Sequence, residues 1–251
     1  MKKILLHISI ILITLLCSRP LYAQMRNDGG APFAVVELFT SEGCSSCPSA
    51  DALLIELTEQ AHKEGARIFP LGFHVDYWDY LGWKDRFSSG EYSGRQRQYA
   101  AALRTSSVYT PQMIVNGTYQ FIGSNRAQAQ QWIKESLKAD SAVNLSLEQK
   151  SEKPNSIIVH FKSSRAVDNA VINFALVERD LANSVSRGEN SGRTLRHHNV
   201  VRAFKSLPLS EQEGDTVLTF PDDVKLENAS IIGFIQDNKN MNILGANFID
   251  L

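Results

Sequence analysis

The chain has 251 residues, a formal net charge of −1 and an ordinary 43% share of apolar residues. That length suits one large or two modest globular domains, and the charge argues against nucleic acid or an anionic membrane surface as the main partner. Three cysteines are too few for a disulfide framework.

Met1-Lys2-Lys3 is a short basic start, Ile4 to Leu16 is apolar, and Leu21-Tyr22-Ala23 ends on a small residue before Gln24. The pattern reads as a secretory signal over residues 1–23, with an apolar run too short to span a bilayer. Its removal takes away Lys2, Lys3 and Arg19 and no acid, so 23 bases face 27 acids and the net charge becomes −4. Cys17 leaves with it. The mature chain is expected in an exported compartment, periplasmic or extracellular, with no stable membrane insertion and two remaining thiols, Cys44 and Cys47.

From Ala34 the chain builds a strand (Val35 to Phe39), breaks at Ser41-Glu42-Gly43, and enters a helix from about Cys47. Ala50, Leu53, Leu54, Leu57 and Ala61 share one helical face, with Asp51, Glu56 and Glu59 opposite, and Pro48 sits where its missing N–H does no harm. A second strand (Arg67 to Val75), the aromatic loop Asp76 to Phe87 and a helix (Glu91 to Leu103) follow, Arg95 and Arg97 on its wet side. Then come Thr110-Pro111, strands Gln112 to Val115 and Tyr119 to Ile122 around an Asn116-Gly117 turn, and a last helix capped by Ser124 or Asn125. The right-handed crossover rule makes the first two strands parallel, so segments 40–48, 74–87 and 107–111 converge on one edge.

Cys44 and Cys47 thus stand at the amino end of a helix, where the dipole and free N–H groups favour a thiolate. A lone CxxC falls short of the four ligands of structural zinc, and its small loop stabilises little as a structural disulfide. Redox exchange and soft-metal binding, Cu(I) with His74 joining the pair, both stay open. No cofactor beyond the Cys44–Cys47 disulfide is expected, and no metal site.

Cys44-Ser-Ser-Cys47-Pro48 and Thr110-Pro111 resemble the redox motif and the cis-proline of the thioredoxin superfamily, in its glutaredoxin-like β-α-β-α-β-β-α form over residues 32–140. The phrases ELFTSEGCSSCPSAD, FHVDYWDYLGWKD and SVYTPQMIVNG resemble an exported bacterial family known as a domain of unknown function of the DUF1223 type. The superfamily resemblance implies an exposed attacking Cys44, a buried resolving Cys47, and a cis Pro111 that presents the Thr110 backbone to an extended substrate. It also implies a proton-relay acid in the first strand, where Glu37 stands seven residues before Cys44 instead of the commoner six. Tyr77, Trp78 and Trp83 would wall the substrate groove, and the partner would be an exported protein thiol or disulfide.

Beyond Ala142 the period changes to two. About seven short strands read as an antiparallel, immunoglobulin-like β-sandwich over residues 141–251. The polar loop Arg187 to Arg193 either docks onto the first domain or meets a partner. Adjacent His197 and His198 point to opposite faces of a strand, against a shared metal.

Overall fold

A computed structural model describes residues 30–251; the signal expected over residues 1–23 lies outside them. Strand β1 (Ala34–Thr40) is buried along its whole length and pairs in parallel with β2 (Ile68–His74), from Ala34↔Ile68 to Thr40↔His74. Helix α1 (Pro48–Glu64) makes the crossover, opening on Pro48 and closing on Gly65, whose φ of 61° places it in the left-handed region. Its buried face is Ala50, Leu53, Leu54, Leu57 and Ala61, as the spacing predicts.

Helix α2 (Gly90–Ala102) leads to β3 (Gln112–Val115), antiparallel to β1, and then to β4 (Tyr119–Ile122). Asn116 and Gly117 join these strands with φ of 48° and 70°, the two positive values that the tightest hairpin turn requires. Gly117 has a second reason to be glycine: a Cβ there would stand 1.9 Å from the Met241 carbonyl oxygen. Helix α3 (Arg126–Ser136) starts at Asn125, whose side chain accepts from the Gln128 N–H at 3.1 Å. Alternation along β1 sends Val36 and Leu38 toward α1 and α3, and Val35 and Phe39 toward the opposite face.

The second half supplies β5 (Leu145–Lys153), β6 (Ser156–Ser163), β7 (Ala170–Glu178), β8 (Leu181–Ser184), β9 (Thr194–His197), β10 (Val200–Pro208), β11 (Glu213–Thr219), β12 (Ala229–Asp237) and β13 (Ile243–Asp250). The molecule is a mixed α/β structure. One large mixed sheet runs β13-β12-β7-β10-β2-β1-β3-β4, beside an antiparallel β11-β6-β5 sheet and a β8-β9 hairpin. The β-sandwich expected of residues 141–251 is met only in part. Leu145, Leu147, Ile157 and Val159 do pack on Ile172, Phe174 and Ile231. Yet β7, β10, β12 and β13 continue into the sheet of the first half instead of closing a unit of their own. The physical reason is in β7 and β12, which are apolar on both faces and need cover on both. Their second face packs with Phe39, Phe73 and Tyr99.

The two halves share a core, and within the sheet they join at a single point. Strands β10 and β2 meet at one pair, Val200↔Gly72. Among the described residues, no helix is long and apolar enough to cross a membrane.

Candidate functional site

Cys44 and Cys47 are joined as a disulfide, with Cα atoms 5.4 Å apart. Cys47 is the N-cap of α1, and its carbonyl accepts from the N–H groups of Ala50 and Asp51. The hydroxyl of Ser46 lies 3.4 Å from the Cys44 sulfur. The three segments expected to converge do so. Trp78 donates its indole N–H to the Thr110 hydroxyl at 2.7 Å, and Trp83 donates to Glu42 at 2.8 Å. The Thr110–Pro111 bond is cis.

Cys44 is not the exposed thiol that the resemblance implies: it is 1% exposed, and Cys47 is fully buried. The cover comes from the loop between β8 and β9. Asn190, itself buried, donates its side-chain amide to the carbonyls of Glu42 (2.8 Å) and Cys44 (3.0 Å). The Ser45 N–H donates to the Glu189 carboxylate at 2.9 Å, and the Ser45 hydroxyl together with that N–H holds the carboxyl below its usual range. A Cβ on Gly188 would lie 3.3 Å from the Cβ of Trp83. The polar loop therefore docks on the first half, directly over the disulfide.

Behind the disulfide lies a buried set of ionisable groups: Glu42, Asp51, His74, Asp85 and His197. His74 Nδ1 is 2.6 Å from Asp85, whose carboxylate also accepts from the N–H groups of Glu42 and Phe87. Burial works against the His74 cation, but Asp85 outweighs it and leaves the histidine pKa raised. Burial likewise opposes the Asp85 charge, yet His74 and the two N–H groups bring its pKa down. Asn183 donates to both oxygens of Glu42. His197 Nε2 lies 3.4 Å from Glu42, and its Nδ1 lies 3.8 Å from Asp51; neither ring nitrogen makes a hydrogen bond. The spacing places Asp51 on the polar side of α1, yet it is 5% exposed, because the β8-β9 hairpin packs on that side. Burial raises its pKa, against the pull of His197 and His74. Among the described residues, no group of three or more His, Cys, Asp or Glu is arranged to hold a metal ion.

These shifts fix a pH dependence. The raised His74 contributes stability that is complete below about pH 6.5 and is lost as pH rises through its folded value. The raised Asp51 acts in the same direction, because ionising it in place is penalised. The lowered Asp85 contributes above about pH 4 and loses its share in acid. Urea unfolding should therefore give a larger free energy at pH 5 than at pH 8, and His74→Gln should shrink that difference. Equal values for the unaltered protein at the two pH values would contradict the assignment.

Glu37 sits elsewhere. It lies on the face of β1 turned away from α1, fully buried, and both of its oxygens are engaged. Arg95 donates Nε to Oε2 at 2.5 Å and Nη2 to Oε1 at 2.9 Å, and the Tyr99 hydroxyl also donates to Oε1. Arg95 is therefore not the solvated side chain that its helix position suggests. It is 6% exposed, its guanidinium 5.0–5.6 Å from the rings of Phe73, Tyr99, Phe204 and Phe234. Burial alone would lower its pKa, and Glu37 raises it.

The aromatic loop splits in two. Tyr77 and Trp78 pack against the core, and the Tyr77 hydroxyl donates to Gln96; burial pushes its pKa up to about 12. Trp83 is half-buried, while Tyr80 is 81% exposed. Asp85, Asn183 and Asn190 went unrecognised in the sequence. The alternation Thr194-Leu195-Arg196-His197, which sends Leu195 and His197 inward, is the available signal for the hairpin that carries Asn183 and Asn190.

The fold and site define a mixed α/β protein with a CxxC disulfide covered by a loop from its own second half. Residues 35–236 match the family described as "Protein of unknown function (DUF1223)", and the chain belongs to that family. It is similar to the Agrobacterium tumefaciens protein AGR_C_4864, known from a crystal structure. The two are 26% identical, with 87% of this chain and 94% of that one covered at a TM-score of 0.60. A domain of the outer membrane lipoprotein Omp28 from Porphyromonas gingivalis is 13% identical over 44% of this chain and 88% of its own. Its TM-score of 0.26 is too low to carry an argument. No curated protein matches.

Proposed function

We propose that residues 32–140 are a thioredoxin-like module that exchanges thiols and disulfides with exported proteins through Cys44 and Cys47. Residues 141–251 would be an appended immunoglobulin-like sandwich that shares its sheet, and residues 1–23 would direct export. The observation that carries this reading is the placement of the pair. A CxxC disulfide follows the parallel strand β1 directly and caps α1, and Trp78 ties the Thr110–Pro111 segment to the loops around it.

In the reduced form, the Cys44 thiolate attacks one sulfur of a client disulfide. The client S–S bond breaks, its second sulfur leaves as a thiolate, and a mixed disulfide forms. Cys47 gives up its proton and attacks the Cys44 sulfur, closing Cys44–Cys47 and releasing the other client sulfur. The client gains two electrons; run backward, the same steps oxidise it. Thr110, Tyr77, Trp78 and Trp83 would contact the client segment, and Glu37 would support the strand beneath.

The test is Cys47→Ser. It should accumulate mixed disulfides through Cys44 that migrate as larger species without reductant and vanish in Cys44→Ser/Cys47→Ser. Absence of any adduct in exporting cells would overturn the reading. One observation favours a second reading: the burial of Cys44 suits a binding module whose disulfide stays closed. That module predicts a midpoint too low for exchange with glutathione buffers, whereas tight stoichiometric Cu(I) on the reduced protein would point to metal delivery.

A further inference from the structure

A cavity of about 410 Å³ lies at the other end of α1 from the disulfide, about 25 Å away by the rise of a 17-residue helix. Its origin is a gap in the large sheet. Strand β10 begins at Val200, opposite Gly72, so Ile68 to Pro70 have no strand on that side. The next strands across the gap belong to the second half, and Ile232 and Phe248 supply the facing wall. Phe69 and Phe248 stand with ring centroids 5.7 Å apart.

One charged group stands in this apolar surround without a counter-charge. Arg67 pairs with no carboxylate among the described residues. Its Nη2 donates to the Ala246 carbonyl at 2.7 Å, its Nε is buried without an acceptor, and its guanidinium lies 5.6 Å from the Phe69 ring centroid. Burial lowers its pKa. Arg67 is half-buried with one N–H lacking an acceptor, and an incoming anion supplies both the missing acceptor and the counter-charge. The one acid on the cavity wall, Asp250, is drawn to Arg179 at 3.8 Å and to the Ser230 hydroxyl at 2.7 Å.

We propose that this cavity binds a medium-chain monocarboxylate, its hydrocarbon tail between Phe69, Ile232 and Phe248 and its carboxylate on Arg67. The size falls within the range of small-ligand sites, and planar carboxylate recognition is the habit of arginine. The site is separate from the disulfide and independent of the exchange reading.

Calorimetric titration of the mature chain with decanoate tests it, with methyl decanoate and decyltrimethylammonium as chain-matched neutral and cationic probes. Decanoate should bind one to one with a Kd on the order of micromolar, at least about tenfold tighter than either probe. Arg67→Met, which keeps the stem and removes the charge, should bring decanoate to the level of the ester. No one-to-one decanoate binding overturns the proposal. So does equal affinity for decanoate and its ester, which needs no variant, or affinity unchanged in folded Arg67→Met.

Discussion

Arg95→Met is expected to destabilise the fold by about 3–5 kcal/mol. Methionine fills much of the arginine stem's volume but leaves Glu37 fully buried without its cation. It also removes the donors to Tyr99 and to Gln236, which lies on β12 in the second half. The stranded carboxyl would then hold a proton, so the deficit should be larger at pH 8 than at pH 5. Glu37→Leu/Arg95→Met should recover more than half of the loss, because no unpaired charge then remains inside. The measurement is urea unfolding of the unaltered protein and the two variants, with the midpoint moving at constant slope. An arginine on a solvated helix face predicts a change within about 0.5 kcal/mol, and that result would remove the ion pair from the account.

Arg95 also shows where legibility ended. Its neighbours on α2 are ordinary for a half-wet helix, and what buries it is Phe204, Phe234 and Gln236, more than a hundred residues later. Local periodicity carries no information about such a partner. For the same reason the elements of the first half were readable almost to the residue. Each of Val35–Phe39, Gln112–Val115 and Tyr119–Ile122 is bounded by a turn signal of its own, Asn116-Gly117 above all. The strands of the second half were also visible as alternation or as apolar runs. Their membership in one sheet with β1 and β2 was not, because it depends on a single contact, Val200↔Gly72. At the site, Cys44, Cys47 and Thr110-Pro111 stood out by motif. Asp51 and Asp85 did not: a carboxylate's burial depends on what packs over it, which for Asp51 is a hairpin from the other half and for Asp85 is His74 with the N–H groups of Glu42 and Phe87.

That hairpin covers the sulfur, and Asn190→Ala should raise the rate at which dithiothreitol reduces Cys44–Cys47 by about fivefold or more. Reduction requires a thiolate to reach a sulfur in line with the S–S bond, and a 1% exposed Cys44 offers no such approach while the loop is down. Exchange then proceeds through the fraction of molecules with the loop lifted. Asn190 holds it with two donated hydrogen bonds, and Arg193 fixes the amide by donating to its oxygen at 2.8 Å. Losing them is worth about 1–3 kcal/mol, or roughly 5- to 150-fold in the open fraction. Glu189→Gln serves as the contrast. Its amide oxygen still accepts from the Ser45 N–H at an exposed position, so the rate should change less than about twofold. Rapid-mixing kinetics with dithiothreitol, alongside hydrogen exchange of residues 185–193, read both steps. A faster rate in Asn190→Ala with faster exchange confined to that loop identifies it as the gate. An unchanged rate would mean that reductant reaches the disulfide by a route that leaves Asn190 in place.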